Sequence, residues 1–479
     1  MTWAKTPGAR LAACLGLVGL LAVSLRVASA VALPNIYHPD EIFQSVEQAH
    51  RLIYGIGFVP WEFVQGVRSW ILPGLIAGPM WLGGALFGAP QGYVWSIAVA
   101  LSLLSAAPVI CAFLLSYERH GKIWMGTLAG LGCATWADLI YFGPKPLAEV
   151  VSGNLLVLAV FLSRPEVRAS SARLVFSGVI FGLAGAVRPH LVPAILLAAI
   201  WHCRFAWKAR WIPVATGVLA AAIAAGLLDW ATWGAPFESY IAYFRTNVVE
   251  GRASLYGVLP WYSYVAWLID YWSWGLPFVA LMILVGAWKR PVFLAMAAAI
   301  VLSHSLVPHK EYRFIFPAVL CAIVDGSIGL AEVALWLSAS RSARSPWAAA
   351  TLLAILWLGA STAAATSNSF RPNWTRRSGF IEAFLELSHS DSACGVGLWK
   401  IGWGWADTGG YTYLHRPIPV LDVQNDADFW RSQPRFNYVL AYPQSPPPGS
   451  AYQRRACWDA GLPGRTKLCL YRRPQGCGP

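Results

Sequence analysis

Apolar stretches long enough to cross a lipid bilayer recur along the whole chain, and nothing in it constrains the fold more. The first, residues 11–33 (LAACLGLVGLLAVSLRVASAVAL), follows Lys5 and Arg10 and stops at Pro34. Others fall near 91–116, 123–142, 147–163, 174–187, 190–205, 211–229, 267–287, 292–307, 314–337 and 346–366. With 57% hydrophobic and 12% charged residues, the 479-residue chain lies outside the range of soluble domains and of disordered chains, which leaves a polytopic membrane protein. In hydrocarbon the backbone must pair within its own segment, so each run predicts a helix. The expected class is all-α, with about eleven spans.

The net charge of +13, from 36 Lys and Arg against 23 Asp and Glu, reads as a topology signal, and no nucleic-acid motif competes with it. One set of connections (YERHGK, SRPEVRASSAR, WHCRFAWKAR, WKRP, SRSARS) is basic and is expected on the cytoplasmic side. The other set holds the polar chemistry: 34–90, 143–146, 188–190, 230–266, 308–313 and everything after about 367. Residues 70–88 are apolar enough to span, but counting them would put every basic loop outside, so they are expected to lie in the outer interface. The first run has a rival reading as a cleaved signal peptide, because Ala28-Ser29-Ala30 resembles a cleavage site. Both readings leave residue 34 onward outside.

The expected division is a membrane domain, 1–366, with its first outer loop at 34–90, and a small α/β domain outside the cytoplasm, 367–479, where short apolar runs alternate with Gly, Pro and Asp-rich turns. Cys394, Cys457, Cys469 and Cys477 of that tail would face an oxidising space, so one or two disulfides are expected from three full pairings. No CxxC or Cys/His spacing supports a metal site.

The densest polar feature is YHPDEIFQSVEQAHRLIYGIGFVPWEFVQGVRSW at 37–70. Pro39 suits the first turn of a helix, and Asp40 and Glu41 then sit where the helix dipole favours carboxylates. Ile42, Val46, Ala49 and Ile53 form one apolar stripe, so the helix is expected along the membrane surface, with Gln44 on its polar side. Capping is the plain reading of Asp40 and Glu41. Against it stand Trp61, Glu62 and Arg68 in the same loop, Asp229 at the outer end of a later run, and His309, Lys310, Glu311 and Arg313 in PHKEYRFIFP. So many ionisable groups on one side of a bilayer are costly without a function. A single Trp among 26 is first an interfacial anchor, so Trp61, Trp261 and Tyr262 stand between sugar stacking and lipid contact.

HPDEIFQ, PWEF followed by RSW, NVVEGRASLYGVLPWYSY at 247–264 and HKEYRFIFP together resemble glycosyltransferase family 22, the α-mannosyltransferases of GPI-anchor and N-glycan assembly and their bacterial relatives. The resemblance covers residues 30–320, and HKEYRF is its most specific part. It implies the GT-C fold, a lipid-linked sugar donor and chemistry in the first outer loop. The cysteine usage and short loops suit a bacterial inner membrane with the site on the periplasmic side, and hence a polyprenyl rather than a dolichyl phosphate carrier. Expected partners are therefore a polyprenyl phosphate mannose donor, a glycan or glycolipid acceptor and the bilayer.

A polyprenyl phosphate sugar already carries a good leaving group, so the reaction asks for one base at the acceptor hydroxyl and cations for the departing phosphate. The resemblance implies Asp40 as base, with inversion and with Glu41 as runner-up. His309, Lys310 and Arg313 are the first phosphate candidates and Arg68 and Arg188 the second; His38 would orient a carboxylate, and His50 has no expected role in the cleft. No cofactor is expected. A divalent ion on Asp40, Glu41 and His38 is the alternative. Two further readings stand beside this one: the same architecture with another lipid-linked sugar, and a lipid-linked sugar transporter, which would instead place ionisable residues mid-span and show related halves.

Overall fold

The computed structural model describes residues 6–165, 169–339 and 346–478. Lys5, Arg168, Arg341 and Arg344 of the expected basic flanks, and Pro479, lie outside the described residues. The chain forms two compact units: one takes the amino terminus through Ala28, Gln65–Ile71 and Val99–Phe370, the other Ser29–Val64, Leu72–Ala98 and Arg371–Pro479.

Among the described residues, six helices are long and apolar enough to cross a membrane: Pro7–Ala32, Gln91–His120, Trp207–Trp233, Ser263–Lys289, Tyr312–Ala339 and Trp347–Thr366. Six shorter apolar helices accompany them: Ile71–Phe87, Ile123–Thr135, Ala148–Ser163, Ser171–Val187, Pro189–Cys203 and Pro291–Ser305. Every apolar run read from the sequence is therefore helical. Residues 70–88, expected at the interface, form the 17-residue helix Ile71–Phe87 with Pro79 inside it. Two long helices are interrupted, at Ala106 and at Ser273–Gly275, and the following segment carries a proline in its first turn each time.

In the first unit the Phe316–Ala339 helix is buried along most of its length. Without a hydrophobic drive between helices in lipid, close backbone approach has to supply the packing. Gly286 meets this helix where a Cβ would overlap the carbonyl oxygen of Asp325, and Gly329 answers it where a Cβ would overlap the carbonyl oxygen of Met282. Arg26, inside the first span, neither snorkels nor meets solvent: it is fully buried and donates to the carbonyls of Ala22 and Ala134 at 2.9 and 3.3 Å.

The second unit carries a five-stranded sheet in the order β2-β1-β3-β5-β4, with β1 Val396–Trp399, β2 Val420–Val423, β3 Tyr438–Ala441, β4 Gln453–Leu462 and β5 Arg465–Arg472. β1 pairs in parallel with β2 and β3, while β5 runs antiparallel to β3 and β4. Phe380 and Phe384 of the Ser378–Ser388 helix pack with Leu398, Leu440 and Leu470 of the sheet, and Phe429, Phe436 and Val439 build a separate core. The cysteines form two bonds, Cys394–Cys477 and Cys457–Cys469.

Gly286→Val should lower the apparent melting temperature of the detergent-solubilised protein by the equivalent of roughly 2 kcal/mol. Gly359→Val, where an added Cβ meets nothing within 4 Å, should leave it unchanged in the same melting experiment.

Candidate active site

The first loop begins its helix at Pro39, as the sequence requires. His38 Nδ1 accepts from the Asp40 N–H at 3.3 Å and lies 3.3 Å from the Asp40 carboxylate, so His38 acts as both cap and neighbour. The helix continues through a π-helical stretch, Ile42–Val46, into Glu47–Tyr54 and stops at Gly55, whose φ of 74° suits a residue without a Cβ. The extra residue of a π turn rotates the side chains that follow it, a recurrent feature of functional helices.

The helix does not rest on a bilayer surface by one apolar stripe. Ile42, Val46 and Ala49 are buried as expected, but Glu41, Glu47, Gln48 and His50 are buried too, because residues 371–415 of the same unit cover the polar side. Phe43 and Phe58 pack with Trp405, the latter ring pair stacked at 4.8 Å. Arg377, 4% exposed, donates to Asp407 at 2.9 Å and to the Tyr37 carbonyl at 3.2 Å. This cover separates the two adjacent acids. Asp40 keeps 21% of its side chain accessible beside His38, whereas Glu41 is 2% exposed and turned toward the charge of Arg377 and the ring of Tyr413. Gln44 donates to Glu62 at 2.8 Å, and Trp61 opens the short helix Trp61–Val64 that carries Glu62.

Two residues outside the candidate set organise this unit. Glu47 accepts from the N–H groups of Phe58, Tyr411 and Thr412 at 2.8, 3.0 and 2.9 Å and from the Thr412 hydroxyl at 2.7 Å. Burial pushes its carboxyl pKa up, and these four bonds pull against that shift. His50 hydrogen-bonds to the Ile56 carbonyl at 2.8 Å and to His415 at 3.0 Å. Burial brings its pKa down to about 4, so the ring is neutral near pH 7.

The remaining candidates belong to the first unit. Glu311 binds Arg313 at 2.7 Å and His309 at 3.0 Å, and the His309 pKa is raised chiefly by that hydrogen bond. Buried Glu149 holds Arg188 at 3.1 Å and Arg313 at 3.4 Å, and both guanidiniums lie 4.9 Å from the Phe314 ring centre. Arg68 sits over Tyr243 at 5.5 Å, and the Tyr243 hydroxyl reaches His190 at 3.3 Å. The His190 ring lies 5.6 Å from that of His304. Three buried nitrogens here, Arg68 Nε, His190 Nδ1 and His304 Nε2, have no hydrogen-bond partner among the described residues. The Lys310 ammonium is held by the carbonyls of Leu259 and Val307 at 3.1 and 2.5 Å.

Asp229 stands apart from this cluster in its bonding. It accepts from the N–H and the hydroxyl of Ser239 at 2.9 and 2.6 Å, which ties down the start of the Glu238–Phe244 helix. Trp261 and Tyr262 are exposed. Tyr312 of the HKEYRF motif donates to Asp138 at 2.7 Å, which also accepts from Trp136 and Trp272 at 2.8 and 3.1 Å, so a buried carboxylate anchors the motif. Among the described residues, no three His, Cys, Asp or Glu gather as a metal-binding group.

The chain matches the Alg9-like mannosyltransferase family over residues 17–415, well over half its length. It belongs to the Alg9-like mannosyltransferase family. The match runs through the Gly410–Leu414 turn that clasps Glu47 and ends before β2, so the family unit includes the cover over the first loop. GPI mannosyltransferase 3 of Yarrowia lipolytica is 28% identical over 62% of this chain and 58% of its own length. GPI mannosyltransferase 3 of Drosophila melanogaster is 29% identical over 67% and 59% respectively. The chain thus spans about three-fifths of the length of these curated relatives. The fold is the GT-C fold: the crystal structure of ArnT from Cupriavidus metallidurans bound to undecaprenyl phosphate superposes with a TM-score of 0.56 over 98% of both chains at 11% identity.

Glu149, Glu47, His190 and His304 escaped the sequence reading. Each lies inside or at the edge of an amphipathic or apolar run, and an ionisable residue in such a run was the one available signal.

Two expectations follow for this member of the Alg9-like family. Glu47→Ala would leave three amides and a hydroxyl buried without their acceptor and should cost roughly 3 kcal/mol, read as lost thermal stability and raised proteolysis of the carboxyl-terminal residues. For His50, an ordinary pKa of 6.5 in the unfolded chain against about 4 in the fold means that the unfolded state binds more protons between those values. Stability then falls as pH falls through that window, by about 2 kcal/mol at pH 5. The melting temperature should drop further from pH 7 to pH 5 in the wild type than in His50→Gln.

Proposed function

We propose that this member of the Alg9-like family transfers mannose from a polyprenyl phosphate mannose to a glycan or glycolipid acceptor at the outer face of the membrane, with inversion. The observation that carries the reading is the divergence of the two adjacent acids: Asp40 is accessible beside His38, while Glu41 is buried against Arg377 and Tyr413. A general base has to reach the acceptor hydroxyl, and Asp40 can do so. His38, whose Nδ1 accepts from the Asp40 N–H, fixes the backbone that carries that carboxylate.

The donor's departing phosphate dianion needs fixed donors in a water-poor site. The cluster around Arg68, Arg188 and Arg313 supplies the charge, and His309 and Lys310 border it. Buried Arg68 Nε and His190 Nδ1 retain donor capacity that a phosphate could use. Arg188 and Arg313 are pre-set by Glu149 and Glu311, which limits their reorganisation on binding. The structural neighbour described as bound to undecaprenyl phosphate supports a polyprenyl phosphate carrier, and the curated relatives' names support a mannosyl donor and a glycolipid acceptor. The chemistry requires neither cofactor nor divalent ion in this scheme. The orientation rests on the basic connections and on two disulfides in the tail, which favour an oxidising space. A bacterial inner membrane with the site on the periplasmic side fits them.

The test is transfer of labelled mannose from synthetic polyprenyl phosphate mannose to membrane glycolipid. Asp40→Asn should lose 10²- to 10⁴-fold, about the usual contribution of a general base, at unchanged thermal stability. Retained transfer would remove Asp40 as base. Wild-type transfer of a different sugar in preference to mannose would overturn the donor. A reporter fused after Pro479 should be active outside the cytoplasm, and a cytoplasmic signal would overturn the orientation.

A further inference from the structure

The helices that carry Glu149 and His304, and two of their neighbours, bear a second set of charges at their other ends. Ala148–Ser163 runs into Arg164, Val192–Cys203 into Arg204, and Leu276–Lys289 into Arg290, after which Pro291–Ser305 leads back to His304. At 1.5 Å rise per residue, a helix of 16 residues sets the two regions about 24 Å apart, close to the thickness of the hydrocarbon core. With these helices crossing the bilayer, this second region belongs to the membrane face opposite the Glu149–Arg188 cluster of the same unit.

A cavity of about 250 Å³ opens there, lined by Arg164, Arg204, Lys289 and Arg290 together with Trp201 and His202. Arg164 is answered by Glu118, which it grips through three contacts of 2.6 to 3.1 Å. Arg173 and Arg210 share the field of that pair, and Asp325 faces Arg290. Among the described residues, six cations therefore face two carboxylates, and neither Arg204 nor Lys289 has a carboxylate partner there. Arg204 occupies the position after its helix with a φ of 47°, where glycine is the easier residue.

The surroundings separate a lipid from a soluble anion. Ile200, Leu284, Trp288 and Phe205 are all strongly exposed on the same helix ends, Phe205 at 93%. Such a flank suits acyl chains, and basic pockets between membrane helices suit anionic headgroups. We propose that this cavity binds the phosphate headgroup of an anionic phospholipid from the leaflet opposite the Glu149–Arg188 cluster, with the acyl chains lying along Ile200, Leu284 and Trp288. The site is independent of the transfer chemistry proposed above, and its ligand is a resident lipid rather than donor or acceptor.

The test is native mass spectrometry of the full-length, detergent-solubilised protein titrated with phosphatidylglycerol, with phosphatidylcholine as the neutral comparison. Each cation near an anionic lipid surface contributes about fivefold in affinity, so R204Q/K289Q should weaken the tightest phosphatidylglycerol binding at least tenfold and leave phosphatidylcholine unchanged. Arg454 and Arg455 are exposed on β4, far in sequence from the cavity, and R454Q/R455Q should have no effect. An equal loss in that control, or no loss in R204Q/K289Q, would overturn the proposal. Displacement of phosphatidylglycerol from the wild type by millimolar inorganic phosphate would overturn the lipid as source, in favour of a soluble anion. Should the double variant fold poorly, K289Q alone should show the fivefold change.

Discussion

Hydrocarbon solvates neither a backbone polar group nor a charge, and every feature of this chain follows from that demand. Backbone bonding is closed within helices, so packing between them relies on contact rather than on exclusion of water, and Gly286 and Gly329 bring two helices to backbone distance. Charges are driven to the helix ends, into mutual pairing or, for Arg26, onto backbone carbonyls. The pairing of Glu149 with Arg188 and Arg313 is such a case, three charges made tolerable by one another. Asp138 solves the same problem with three neutral donors, Trp136, Trp272 and Tyr312, and thereby fixes the segment that carries Glu311 and Arg313.

The acids of the first loop show the same economy in a polar setting. Residues 40, 41 and 47 are all carboxylates on one short helix, yet each meets a different environment. Glu47 is buried under four donors from residues 58, 411 and 412. Glu41 faces a buried arginine, and Asp40 alone keeps access to solvent. Structural and reactive acids are thus distinguished by what covers them, and the cover comes from the carboxyl-terminal residues. A family match that extends through that cover is what this division of labour requires.

Much of this was legible in the residues. The apolar runs gave their helices to within a few positions because a 20-residue uncharged run in lipid has one stable conformation. Pro39, Asp40 and Glu41 marked a helix start, and the tail's turns and cysteines marked a small disulfide-bonded α/β region. The single apolar stripe of the first-loop helix misled, since a period counts only apolar faces and the polar face of this helix is buried by hydrogen bonding. His50 shows the limit well: nothing near it in the sequence announces His415, its hydrogen-bond partner 365 residues away.

The sequence by itself determined the class of molecule, the ends of its helices and the chemical types available at each end, because hydropathy and charge are local properties that a bilayer reads segment by segment. Which acid is reachable, which cations share Glu149 and which cysteines bond were decided by tertiary structure alone. Those outcomes depend on contacts between residues far apart in the chain, and burial, which sets the behaviour of a charged group, exists only once those contacts have formed.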